Sequence, residues 1–184
     1  MMLPLPISPD VFLREVVNPA LEYLPRHLTS DKAKVMLVAI CLQESALKSR
    51  WQILNDGGKG PARGLPQFEM GSKLYGGGVW GLYKHRASHE LLRQLCRDHD
   101  VNFEPRAIWS IMEHNDLFAV GCARALLWTD AKPLPEADDE EGSWKLYAER
   151  VWRPGAYTNG TEEARQKLRA KWARNHAKAR EVVL

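Results

Sequence analysis

No disulfide framework can organise this chain. Its three cysteines, Cys41, Cys96 and Cys122, are odd in number and widely spaced, and none belongs to a Cys-x-x-Cys pair. The same spacing excludes a structural zinc site, and because free cysteine is among the most buried residue types, all three read as small core residues. A membrane span is lacking as well: the longest unbroken apolar run, residues 35–42, is eight residues long, against about 20 needed to cross a bilayer. The start, Met1-Met2-Leu3-Pro4-Leu5-Pro6-Ile7, has neither the basic nor the sustained apolar region of a signal peptide. The expectation is a protein made soluble in the cytoplasm, which would need a separate route out to reach an external target. Net charge is small: 26 Lys and Arg against 23 Asp and Glu leave +3, too little for a wholesale nucleic-acid binder or an acidic disordered chain. His85 and His89 are four apart, but no third ligand accompanies them, so neither a metal nor another cofactor is expected.

What is present is one domain's worth of helical pattern in 184 residues. Ser8-Pro9-Asp10 reads as an N-cap and first-turn proline opening an amphipathic helix, with a kink at Pro19. Thr29-Ser30-Asp31 starts a second helix that runs to about Arg50 and is apolar on all sides over residues 35–42, the mark of a core helix. Residues 55–81 carry nine glycines and two prolines; this is irregular backbone that hides at most a short hairpin. Helical spacing returns over 88–98, 104–114, 116–128 and 142–152, and Thr161-Glu162-Glu163 caps a last helix to residue 184. The fold class is mainly α, in a single domain.

Glu44 follows directly on the apolar run, four residues from Ile40 and seven from Leu37, and so projects from the same helix face. Withdrawal from water and the negative end of the helix dipole both favour its protonated form, which suits a general acid. The bland alternative is a helix-end residue paired with Lys48 at i+4. Two further carboxylates, Asp56 and Glu69, stand in the glycine-rich stretch, where a second acidic group would activate water for hydrolysis or simply be solvated. Among seven tryptophans, Trp51 and Trp80 are candidate sugar-stacking residues, whereas Trp109, Trp128 and Trp172 sit at helical spacing and read as core. The tail 161–184 holds seven basic residues against three acidic, a net of +4 that leaves −1 for the remainder of a chain carrying +3. Such a helix suits contact with anionic envelope polymers, or else is a solvated face on a helix that docks through Leu168 and Trp172.

Gln43-Glu44-Ser45 followed by Gly64-Leu65-Pro66-Gln67 resembles the Glu-Ser and Gly-Leu-Met-Gln motifs of the lytic transglycosylase and goose-type lysozyme families. Asn115 with Ala119, Gly121, Ala125 and Leu126 is similar to their Asn-Ile-x-x-Gly helix. Trp144-Lys145-Leu146-Tyr147 leading to Trp152-Arg153-Pro154-Gly155 resembles the tyrosine-bearing closing segment in the form seen in bacteriophage wall-degrading proteins. The resemblance covers roughly residues 30–157. It implies a lysozyme-like helical fold and cleavage of the β-1,4 bond between N-acetylmuramic acid and N-acetylglucosamine in peptidoglycan. Glu44 would be the acid and base, Tyr147 would hold its carboxyl, Ser45 would support the local structure, and Gln67 would bond the sugar. Glu69 stands where goose-type lysozymes carry an aspartate. Two residues depart from the pattern: Pro66 replaces the usual Met, and Tyr147-Ala148-Glu149-Arg150 replaces Tyr-Asn-Ala-Gly. The implied product is a 1,6-anhydro sugar; the alternatives are hydrolysis through a second carboxylate and a non-catalytic glycan-binding or virion structural role. The implied partner is the peptidoglycan glycan strand, met by a monomer after release through the host membrane or as part of a virion, with no nucleic acid involved.

Overall fold

A computed structural model covers residues 1–184 and is mainly α-helical, with one two-stranded sheet. Ser8 caps α1 (Pro9–Phe12) by accepting from the Val11 amide. The helix widens to π geometry over Leu13–Val17 and resumes as α2 (Asn18–Glu22). This widened turn directly precedes Pro19, which has no amide proton to continue the α ladder, and is the form the expected kink takes. Ser30 then caps α3 (Asp31–Ser45). Nine of its fifteen residues are buried, among them every residue from Val35 to Cys41, so the all-round apolar stretch is the core helix its composition implies.

Helix α3 stops at Ser45, five residues short of the expected end, because Ala46 and Leu47 both take left-handed backbone angles, with φ of 52° and 56°. Lys48 therefore never reaches the i+4 position over Glu44, and no ion pair forms between them. The glycine-rich region does contain a hairpin, β1 (Trp51–Ile53) antiparallel to β2 (Lys59–Arg63). It also contains the start of α4 (Gly78–Lys84), which its glycine content concealed. Helices α5 (Arg86–Asp98), α6 (Pro105–Ile111) and α7 (Asp116–Leu127) follow close to their expected bounds. Asn115 caps α7 by accepting from the Phe118 amide at 3.2 Å. Next come α8 (Glu140–Lys145), a second π segment (Leu146–Val151), α9 (Gly155–Thr158) and α10 (Glu162–Val183).

Helix α10 is part of the core. The Trp172 side chain is fully buried and stacks on the Tyr147 ring at 4.5 Å between centroids. Gln43, buried near the end of α3, donates to the Leu168 carbonyl and accepts from Asn175, and Lys171 donates to its backbone carbonyl. Of the tail's seven cations, Lys171 faces inward and Arg165, Lys167, Arg169 and Lys178 have partners within the chain, which leaves Arg174 and Arg180 exposed and free. All three cysteines are buried and unpaired. No helix is long and apolar enough to cross a membrane.

A buried ion pair fastens the hairpin side of the molecule to α7. Arg50 meets both carboxylate oxygens of Asp116, at 2.7 and 2.6 Å, and donates to the Leu3 carbonyl, while the Leu3 amide reaches Asp116 at 3.3 Å. Asp116 is wholly buried. Asp116→Ala strands the guanidinium in the interior, and the expected cost by chemical denaturation is about 3–5 kcal/mol, the usual penalty for an orphaned buried charge. A loss under 1 kcal/mol would mean that water reaches Arg50 there.

Candidate functional site

The Glu44 carboxyl sits in the last turn of α3 on the floor of an open cleft of about 510 Å³. The Tyr147 hydroxyl donates to Glu44 Oε1 at 2.6 Å, across 103 residues of sequence. Tyr147 is buried and belongs to the π segment, where the Trp152 amide bonds five residues back to the Tyr147 carbonyl at 3.0 Å. Such widened turns reset which residues face a site. Trp172 backs the phenol ring from α10 and fixes its plane.

Burial pushes the Glu44 carboxyl up to about 7 from its ordinary value near 4.5. The Tyr147 hydrogen bond and the Lys171 charge pull the other way, and the Glu69 charge adds to the rise. Burial, with the Glu44 carboxylate beside it, holds the Tyr147 hydroxyl well above its usual range, so the phenol stays a donor. Burial lowers the Lys171 ammonium, and Glu44 opposes that shift.

The loop holding Gln67 is shaped by Gly64. Its φ is +75°, and a Cβ there would lie 2.9 Å from the Met112 carbonyl oxygen and 3.1 Å from the Ala119 Cβ. The loop thus rests directly on α7, which explains why the second and third motifs occur together. Gln67 takes φ 55° and donates its side-chain amide to the Gly64 carbonyl at 2.8 Å, which leaves the amide oxygen unengaged at the cleft. Glu69 is exposed on the same cleft. Gly78 allows this close turn, since a Cβ on it would meet the Glu69 carbonyl oxygen at 2.1 Å.

The structure therefore brings Glu44, Tyr147, Gln67 and Glu69 together. Ser45 stays in the backbone layer, donating to the Cys41 carbonyl and accepting from the Leu47 amide, and secures the sharp end of α3. Asp56 is not among the lining residues; it closes the hairpin turn by accepting from the Gly58 amide at 2.8 Å. A carboxylate spent on turn geometry is not positioned to activate water for Glu44.

Neither Trp51 nor Trp80 lines the cleft. Trp51 lies under the Lys59 ammonium on the hairpin, and Trp80 packs edge-on against Tyr83. Trp152 lines it instead, with its indole N–H on the Pro66 carbonyl at 3.2 Å and its ring against Phe68. Trp172 is core, and Trp109 is partly buried with Arg63 over its ring. Trp128 is 42% exposed, covered only by His27 and Arg124. Its position at the end of α7 places it beyond the packed face.

Sequence reasoning missed Trp152, Gln43 and Lys171 as site residues. Trp152 was within reach, because it opens the Trp-Arg-Pro-Gly run that the resemblance rests on. Nothing local distinguishes Lys171 from the six other cations of its helix. At the two departures from the motif pattern, Pro66 contributes its carbonyl to Trp152, and Arg150 pairs with Asp130 at 2.7 Å while Glu149 accepts from Tyr157. These substitutions leave the Tyr147 contact in place. Were Glu44 to act as a catalytic acid, Tyr147→Phe would be expected to cut that activity about tenfold, as the loss of one charge-assisted hydrogen bond would, with little change in melting temperature. Full activity in that variant would mean that the hydroxyl does not position Glu44. No family model matches the chain, and no curated protein or solved structure matches it.

Proposed function

We propose that the protein is a peptidoglycan-cleaving enzyme with a lysozyme-like helical fold, acting as a lytic transglycosylase of the bacteriophage type on the β-1,4 bond between N-acetylmuramic acid and N-acetylglucosamine. The observation that carries this reading is the 2.6 Å bond from Tyr147 to Glu44, a carboxyl held near pKa 7 on the floor of an open cleft. A protonated carboxyl at neutral pH is what general acid catalysis requires. Because Tyr147 occupies Oε1 as a donor, the acidic proton resides on Oε2.

In the proposed reaction Glu44 gives this proton to the glycosidic oxygen as the bond to the muramic C1 breaks. The resulting carboxylate is then stabilised by the Tyr147 hydroxyl and the Lys171 charge. It takes the proton of the muramic 6-hydroxyl as that oxygen attacks C1, forming the 1,6-anhydro ring and restoring Glu44 to its acid form. Gln67 offers its free amide oxygen to a sugar N–H or hydroxyl, and Trp152 offers an aromatic face.

A second reading, hydrolysis, is favoured by one observation: Glu69 lines the same cleft and is close enough to raise the Glu44 pKa. A second carboxylate at suitable distance would activate water in place of the internal hydroxyl. Arg174 and Arg180 are the cations left for contact with an anionic envelope. The test of enzymatic function is loss of turbidity in permeabilised Gram-negative cells or purified sacculi. Clearing is expected from the wild type; intact sacculi at enzyme excess would favour a glycan-binding or virion structural role.

A further inference from the structure

Arg153 is the one cation among the side chains lining the cleft, and its guanidinium has no hydrogen-bond or ion-pair partner in the protein. Nearby arginines are committed: Arg150 to Asp130 at 2.7 Å, Arg165 to the Tyr157 carbonyl at 2.9 Å, and Arg169 to both oxygens of Glu140 at 2.6 Å. The backbone at Arg153 is unusual as well. Its φ is +50°, in the left-handed region that favours glycine.

Two contacts impose that conformation. The Arg153 amide bonds to the Tyr147 carbonyl at 3.1 Å, and the preceding Trp152 is fixed to the Pro66 carbonyl by its indole. The arginine is thus mounted on a segment anchored both to the tyrosine that holds Glu44 and to the loop that carries Gln67. Strained backbone that is over-determined by its surroundings is characteristic of functional sites. Here it presents an exposed, uncommitted guanidinium to a cleft whose other lining carboxylate, Glu69, would repel an anion, Glu44 being neutral in its acid form.

We infer that Arg153 forms a subsite for a carboxylate carried by the glycan, so that the cleft prefers an acidic glycan to a neutral one of the same linkage. The inference rests on reading the cleft as a glycan site. A planar guanidinium accepts a carboxylate through two parallel N–H bonds. Two sources offer this chemistry: the lactyl group of muramic acid itself, and the free carboxylates of a peptide stem joined to it.

Calorimetric binding to the Glu44→Gln protein, which holds ligand without turnover, separates these possibilities. The ligands are a neutral N-acetylglucosamine oligomer, an alternating muramic acid glycan with free lactyl carboxylates, and the same glycan carrying peptide stems. At least one acidic ligand is expected to bind about five- to tenfold more tightly than the neutral oligomer, as one charge-assisted contact at an exposed site supplies, and which one identifies the source. Raising salt should shrink the preference. Adding Arg153→Gly removes the guanidinium while giving φ +50° to a residue that adopts it freely, so the fold is kept and the preference should fall within twofold of unity. Arg153→Lys should retain part of it. A preference unchanged in Arg153→Gly overturns the subsite. Glycan binding with no acidic preference in the Arg153 protein overturns it too, while leaving the glycan reading intact; failure to bind any glycan overturns both.

Discussion

Glu44→Gln is expected to remove between about 10² and 10⁴ of the lytic rate, the usual contribution of a positioned general acid, while leaving the protein folded. The amide is nearly isosteric and still accepts from Tyr147, but it has no acidic proton for the leaving oxygen. The same substitution makes a second, opposite expectation for stability. The Glu44 carboxyl titrates near 7 in the folded protein and near 4.5 when unfolded, so between those values the folded state binds the extra proton. Folding stability therefore falls as pH rises from about 4.5 to 7 and stays reduced above it. Relieving that burden should stabilise the Gln variant at pH 8 by on the order of 2 kcal/mol and do much less at pH 4.5. Thermal melts of both proteins at the two pH values check the sign. For the wild type, activity should decline as pH rises through about 7 and Glu44 loses its proton. Retention of more than a tenth of the lytic rate in Glu44→Gln would remove this residue from the mechanism.

Truncation after Gly160 is expected to abolish the cooperative thermal transition together with activity. Removal of Trp172 alone costs about 3–5 kcal/mol by the usual measure for a buried aromatic, a large share of the roughly 5–15 kcal/mol that holds a domain folded. Truncation also exposes one face of Tyr147 and strips Gln43 of its partners at Leu168, Lys171 and Asn175. Of the two readings the sequence offers for the basic tail, an envelope contact and a helix docked through Leu168 and Trp172, the structure matches the docked helix on one face. Calorimetry on the truncated chain would show a broad or absent transition. A sharp transition with retained activity on soluble glycan fragments would instead make the tail an appendage.

Local signals carried the helices well. Ser8, Ser30 and Thr161 cap where their side chains predict, and a stretch apolar on every side lies in the core. The residues that finish the site were illegible for a common reason: long-range contacts decide them. Helix α3 ends through left-handed angles at Ala46 and Leu47, residues with no intrinsic preference for that conformation, and this end is what separates Glu44 from Lys48. Tyr147 is anticipated only through the motif resemblance, because its placement depends on a π turn that local periodicity does not announce and on a tryptophan 25 positions later in the chain. The glycine-rich stretch reads as irregular because glycine reports freedom of the backbone and not its use. Gly64 and Gly78 serve close backbone approaches visible only once α7 and the Glu69 loop are in place. Of the two loop carboxylates, nothing in their spacing distinguishes Glu69 at the cleft from Asp56 in the hairpin turn.

Mass spectrometry of the soluble fragments released from purified sacculi by the full-length protein tests the central claim most directly. Internal attack predicts muramic acid ends one water lighter than reducing ends and resistant to borohydride, released by the wild type and not by Glu44→Gln. Predominantly reducible muramic acid ends would contradict the transglycosylase account and assign the water-activating role to Glu69, the second carboxylate of the cleft.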